Sequence, residues 1–184
     1  SPELRAELLP KLRAGTATAC LGYSEPESGS DLASLKTRAV RDGDHFVVNG
    51  QKIWTTDGHR ASHMILAART DPDPASRHRG ISLFVLPMDT PGITVRKFMA
   101  LHGEHFCNIF FDDVRIPASH LLGPLNGGWK ILSNALASER ILMAAYASEV
   151  RDLLRRIIAD LRARGLAADP VTRDRMAGLA AEVQ

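Results

Sequence analysis

Cysteine is scarce in this 184-residue chain: Cys20 and Cys107 are its only two, and no motif spacing links them. That excludes a disulfide scaffold and a Cys-x-x-Cys centre, and points to reduced thiols in a cytoplasmic protein. No uninterrupted apolar run is long enough for a membrane span, and no charged-then-apolar leader opens the chain. Neither insertion nor secretion is therefore expected. Charge of one sign is lacking too: 23 Lys and Arg against 21 Asp and Glu leave a formal +2. A balance so mild, with no Lys/Arg block, argues against a nucleic-acid partner. What remains is an ordinary globular composition, 45% hydrophobic and 24% charged, in a length that suits one domain or one and a half small ones.

The hydrophobic period divides the chain. Leu4, Leu8, Leu9 and Leu12 recur at helical spacing and Gly15 stops them, so a short amphipathic helix opens the sequence. A strand is expected over 16–23. Asp42-Gly43 and Asn49-Gly50 lie between short β-rich runs, and both read as hairpin turns, which makes 34–56 a three-stranded antiparallel meander. Residues 63–70, 80–87, 93–96 and 107–116 read as further strands, with a polar loop over 71–79. This is an antiparallel β-barrel or sandwich up to Gly123. From Gly128 the period changes. Leu132, Leu136, Met143, Tyr146, Val150, Leu153, Ile157 and Leu161 predict one long helix to Arg164, stopped by Gly165. Asp169-Pro170 then opens another helix, with Asp as N-cap. Two helices cannot bury a stripe of this length alone and require further helices or a partner.

Four features carry chemistry. In the run Leu21-Gly22-Tyr23-Ser24-Glu25-Pro26-Glu27-Ser28-Gly29-Ser30-Asp31, Pro26 fixes φ, Gly29 permits φ > 0, and short side-chain oxygens bond nearby amides. Such a turn either points several donors at one anionic ligand or merely connects strands. Second, Trp54 stands beside the hydroxyls of Thr55 and Thr56, as a ligand platform or as a core indole. Third, Glu139 lies seven residues after Leu132 and seven before Tyr146, on the apolar stripe. A carboxylate there costs several kcal/mol unless it is functional or paired with an arginine. Fourth, His102, His105 and Cys107 are metal-ligand types, but no fourth ligand is spaced to match, so no metal site is expected.

The pair Tyr23-Ser24-Glu25-Pro26-Glu27-Ser28-Gly29-Ser30-Asp31 and Val48-Asn49-Gly50-Gln51-Lys52-Ile53-Trp54-Thr55-Thr56 closely resembles the middle domain of acyl-CoA dehydrogenases. Phe111-Asp112-Asp113-Val114-Arg115-Ile116-Pro117 and Leu121-Leu122-Gly123 resemble that family's exit from the β domain. Gly127-Gly128-Trp129 and Leu136-Ala137-Ser138-Glu139-Arg140 resemble the helix that follows. The resemblance implies an α+β architecture in three parts: the end of a helical domain over 1–15, a β domain over 16–123, and the start of a C-terminal helical bundle over 124–184. It also implies FAD-dependent α,β-dehydrogenation of an acyl-CoA thioester, with Glu139 as the base. FAD contacts are implied at Leu21, Tyr23, Ser24, Gly29, Ser30, Trp54, Thr55 and Thr56, and substrate contacts at Ser30, Ala137, Ser138 and Arg140. An electron-transfer flavoprotein or similar acceptor and a homo- or hetero-oligomer follow from the same likeness. The alternatives are a non-catalytic partner subunit of a heteromeric dehydrogenase, or a flavin monooxygenase or oxidase of the same fold. One departure stands out: the Arg-x-x-Phe-Gly segment of many relatives is replaced by Ala163-Arg164-Gly165-Leu166-Ala167-Ala168-Asp169-Pro170.

Overall fold

Ser1 and Pro2 begin the first helix, α1 (Pro2–Arg13), by helix-entry chemistry. The Ser1 hydroxyl accepts from the Leu4 amide at 3.2 Å, and Pro2 has no N–H to satisfy. Leu8 anchors this helix, buried with Ala17 and Val85. The structure, a computed structural model, describes residues 1–101 and 103–183, apart from the side chains of Leu142 and Met143. It falls into two compact units, Ser1–Leu132 and Ser133–Gln184.

The first unit carries β1 (Ala19–Gly22), β2 (Arg38–Asp42), β3 (His45–Thr56), β4 (His63–Arg69), β5 (Ile81–Pro87), β6 (Ile93–Met99), β7 (His105–Pro117) and β8 (Leu121–Leu122). They form one sheet in the order β6-β7-β3-β2-β4-β5-β8, with β1 also on β4. The sheet is mixed rather than purely antiparallel. β1 runs parallel to β4, Cys20 opposite Met64, and β2 meets β4 in parallel at Arg38 and Arg69. β5 pairs with β4 along its whole length, so β1 and β2 share the other edge. The segment between β1 and β2 does not return as a hairpin, and so the antiparallel rule for hairpin neighbours has no hold there. Asp42-Gly43 does turn the chain, and β2 pairs antiparallel with β3 from Asp42↔His45 to Arg38↔Asn49.

Asn49-Gly50 makes no turn. β3 runs straight through it, and the expected three-stranded meander is two strands, the second one long. Gly50 has φ 147, and a Cβ there would sit 2.6 Å from the Thr37 hydroxyl and 2.7 Å from Thr37 Cα. The glycine serves a close chain approach, not a hairpin. Asn49 holds a bulge in β7 opposite it: its Nδ2 donates to Asp113 Oδ1 at 2.9 Å, and the Asp113 amide donates to Asn49 Oδ1 at 3.0 Å.

The core fills from inward positions of these strands, with Phe46, Val48, Met64, Leu66, Phe84, Leu86, Ile109 and Ile116 all buried. Phe46 meets Phe84 edge to face at 5.0 Å. Cys20 and Cys107 are free and buried. Burial pushes the Cys20 thiol up to about 11 and raises Cys107 as well.

The division between units falls within the long helix α2 (Gly128–Ala163). Gly165 stops it in the left-handed region at φ 73, and a short 3-10 turn, Leu166–Ala168, follows. Asp169 caps α3 (Pro170–Val183) as expected: its Oδ2 accepts from the Thr172 amide and hydroxyl, each at 2.8 Å. Ile158, Leu161, Ala167, Met176 and Ala180 line a cleft of about 310 Å³ inside the second unit. Of the other stripe positions, Leu132 is buried and Leu136 half-buried, whereas Tyr146, Val150, Leu153 and Ile157 are exposed. Met143, expected on that stripe, lies outside the described side chains.

Candidate functional site

The two segments singled out by sequence lie against each other in the first unit. Pro26 and Glu27 make a tight turn closed by Glu25 and Ser28, whose amides donate to each other's carbonyls at 3.0 and 3.1 Å. The Ile53 amide donates to the Ser24 carbonyl at 2.9 Å, so β3 stitches directly onto the loop. Beneath this contact lies Lys52, fully buried. Its Nζ donates to the Tyr23 carbonyl at 2.9 Å and to Glu25 Oε1 at 2.8 Å. Glu25 accepts in addition from the Thr37 amide at 2.9 Å and the Lys36 amide at 2.6 Å. Thr37 closes the ring by donating its hydroxyl to the Gln51 carbonyl at 3.1 Å.

Burial alone would raise the Glu25 carboxyl, but the Lys52 charge and the hydrogen bonds from Lys52, Lys36 and Thr37 hold it below its ordinary value. Burial pushes Lys52 down to about 8, against the pull of Glu25. The 2.8 Å contact of Lys52 Nζ with Glu25 Oε1 is that of a buried ion pair.

Sequence reasoning passed over this pair. A signal was present, because Phe46, Val48, Gly50 and Lys52 alternate along one strand and the first two face the core. Alternation puts Lys52 inside, where a lysine needs an acidic partner.

Past Lys52, β3 gains one residue against β7. Lys52 pairs with Ile109 and Thr55 with Cys107, so Ile53 and Trp54 share a single opposing residue. Trp54 sits in that bulge with φ 61, a conformation that costs a bulky residue on the order of 1–3 kcal/mol. The bulge turns the indole outward: Trp54 is 56% exposed, edge-on to Phe98 at 5.2 Å and Phe106 at 5.6 Å. It is not a core indole. Thr55 points inward, and its hydroxyl is a buried polar group without a hydrogen-bond partner among the described residues. Thr56, Leu21, Gly29 and Ser30 are exposed, and Tyr23 and Ser24 half-buried. Gly29 does not use a positive φ. The space where its Cβ would stand is open, which leaves its backbone free for close approach.

Beside Ser30 a groove of about 830 Å³ is lined by Asp31, Lys36, Arg38, Arg69 and Arg77, with prolines from the loop after β4. Arg69 is spent on structure, donating to the carbonyls of Leu35, Ala33 and Arg77.

Ala137, Ser138, Glu139 and Arg140 belong to the second unit, on α2, and all four are exposed. Ser138 donates its hydroxyl to the Asn134 carbonyl at 3.1 Å. Glu139 is thus solvent-facing in this chain, not enclosed as its place on the apolar stripe implied. The reason is that the stripe beyond Leu136 is largely uncovered, with Tyr146, Val150, Leu153 and Ile157 all exposed. Of the candidate metal ligands, His102 lies outside the described residues. Among the described residues no three His, Cys, Asp or Glu side chains converge, and His59 approaches Cys107 Sγ at 3.6 Å. No described helix is long and apolar enough to cross a membrane.

Comparison with known proteins shows the family. Residues 20–114 match the family model described as acyl-CoA dehydrogenase, middle domain. Acyl-CoA dehydrogenase FadE29 of Mycobacterium tuberculosis is 44% identical over 140 residues, which cover 76% of this chain and 36% of the relative. Acyl-CoA dehydrogenase IpdE1 of the same organism is 37% identical over 183 residues, covering 96% of this chain and 46% of the relative. A solved structure described as the Tcur3481-Tcur3483 steroid ACAD superposes with a TM-score of 0.89 at 37% identity, covering all of this chain and 47% of that one. The chain belongs to the acyl-CoA dehydrogenase family. It spans about half or less of the length of the relatives it matches.

The family implies a flavin, and the residues present fit one. An outward indole held at a strained φ, the exposed hydroxyl of Thr56 two residues on and an open approach at Gly29 are what a polar, planar cofactor with a phosphate arm would use.

Proposed function

We propose that the full-length protein is an FAD-dependent acyl-CoA dehydrogenase, and that this stretch supplies the flavin wall and the base. The carrying observation is the strained, exposed Trp54 on a bulge fastened to the Ser24–Ser30 loop. FAD, when bound, supplies a ring nitrogen that accepts the substrate's β-hydrogen as hydride. Trp54 covers one face of the ring, while Ser24 and Thr56 offer hydroxyls to its polar edge, with Leu21 and Tyr23 alongside and Thr55 beneath, turned to the core. Gly29 and Ser30 receive the phosphate arm.

Glu139 takes the α-proton of the thioester, and Ala137, Ser138 and Arg140 line the acyl side. An exposed Glu139 serves this role once the remainder of the protein covers α2 and excludes water, which strengthens every electrostatic contact inside. The groove of Lys36, Arg38 and Arg77 suits the phosphates of coenzyme A. A bulky acyl group is the favoured substrate class, because the structural neighbour is described as a steroid enzyme. That neighbour carries two protein names, which supports a heteromeric assembly. It also favours a second reading, in which this chain is the non-catalytic member of such a pair.

The test is the visible flavin band of the full-length protein, followed without oxygen as a panel of acyl-CoA esters is added. The wild type is expected to bleach, and Glu139→Gln to bleach roughly 10²–10⁴-fold more slowly. Equal bleaching in the variant would move the base elsewhere. A wild type without flavin would favour the partner-subunit reading.

A further inference from the structure

The buried pair beneath the site does more than fill the core. An ion pair removed from water gains little stability over well-packed apolar residues of similar volume, so its presence asks for a structural use. Here three chain segments converge on it. Lys52 Nζ reaches the Tyr23 carbonyl and the Glu25 carboxylate of the loop. Glu25 in turn accepts the amides of Lys36 and Thr37, just before β2. Thr37 bonds the Gln51 carbonyl, and its backbone presses on Gly50, both neighbours of Lys52 in β3. Every bond has a fixed direction, and an apolar pair would leave the Tyr23 carbonyl and two amides unanswered. Lys36 also pairs with Glu27 across the outside of the same turn, so the loop is gripped from both sides.

We propose that Lys52 and Glu25 are positioning residues, a buried ionic clasp that fixes the spacing between the 23–25 loop and the Trp54 bulge and so prepares the flavin wall before the cofactor arrives. The inference rests on the flavin reading above. The Ile53–Ser24 backbone bond joins Ser24, which the loop presents, to the strand just before Trp54, and the clasp beneath holds that bond in register through side chains that never touch the ring. Preorganisation of this kind appears in affinity and in the environment of the bound chromophore, because the cost of assembling the wall is met at folding.

The test uses full-length protein carrying both Lys52→Met and Glu25→Gln, which removes the two charges together and strands neither. If the clasp positions the wall, the double variant folds, binds FAD at least about tenfold more weakly, and shifts the visible flavin band. A double variant that folds and matches the wild type in both readouts overturns the proposal and leaves the pair a core filler. A wild type that itself fails to take up FAD instead sinks the flavin reading, so the two failures are distinct.

If the double variant does not fold, amide exchange in the wild type decides. On flavin binding the Lys36, Thr37 and Ile53 amides are expected to gain protection only to within about tenfold of the gain at the core amides of β4 and β5. A rise on flavin binding that exceeds by more than about tenfold the rise at the core amides of β4 and β5, which report ligand stabilisation of the whole fold, would mean the cofactor sets the spacing, and overturns the clasp.

Discussion

Glu25 is the residue on which the site's local electrostatics turn. Its carboxyl is held below the ordinary value of 4.5 although burial pulls the other way, because Lys52 and the Lys36 and Thr37 amides favour the charged form. A carboxylate with a lowered folded-state value contributes stability that is full above the unfolded value and is lost as the pH falls through the folded one. Thermal stability is therefore expected to decline below about pH 4.5 in the wild type, and more shallowly in Glu25→Gln, as read by melting curves across pH. A variant with the same acid limb would show that the pair is not coupled to folding. The same pair marks what was hidden in the sequence. Lysine in a strand ordinarily reads as a solvated position, and only the alternation with Phe46 and Val48 places it inside. Trp54 and the residues of the 21–31 loop were legible as candidates. The bulge that exposes the indole was not, since its cause is one extra residue relative to a strand more than fifty positions away.

At the scale of elements, local signals succeeded where the local chain decides the outcome. The Asp42-Gly43 turn, the Gly165 stop and the Asp169 cap are all set by residues within a few positions of each other. Asn49-Gly50 failed for the opposite reason. Its glycine answers Thr37, which crosses it from another segment, and its asparagine answers Asp113 in β7. The parallel pairing of β1 with β4 was equally invisible, because nothing near either strand encodes it. Gly50→Ala is accordingly expected to destabilise the protein by about 2–4 kcal/mol, the sum of a disfavoured φ and a clash with Thr37 backbone. Denaturant unfolding of the full-length protein measures this, and a loss below about 0.5 kcal/mol, the range of neutral surface changes, would show that the crossing yields freely.

For the whole molecule, the chain divides into a β unit that holds the candidate flavin wall and a helical unit that holds Glu139. The first buries its core within itself, while the second leaves Tyr146, Val150, Leu153 and Ile157 exposed. That contrast is why the wall can be described side chain by side chain, whereas the role of Glu139 rests on a helix whose apolar face is uncovered. Family membership and the β architecture were legible because their motifs are contiguous; the chemistry of Glu139 depends on what encloses it.

The place of Trp54 on the proposed flavin wall has a direct optical test. The chain has two tryptophans, Trp54 and Trp129. In full-length protein carrying Trp129→Phe, with any tryptophan outside this stretch also replaced by phenylalanine, Trp54 is the sole indole reporter. FAD titrated into the flavin-stripped protein is expected to quench its fluorescence in a saturable way, with the same midpoint as recovery of the visible flavin band. Flavin binding that leaves the Trp54 emission unchanged would place the indole away from the flavin.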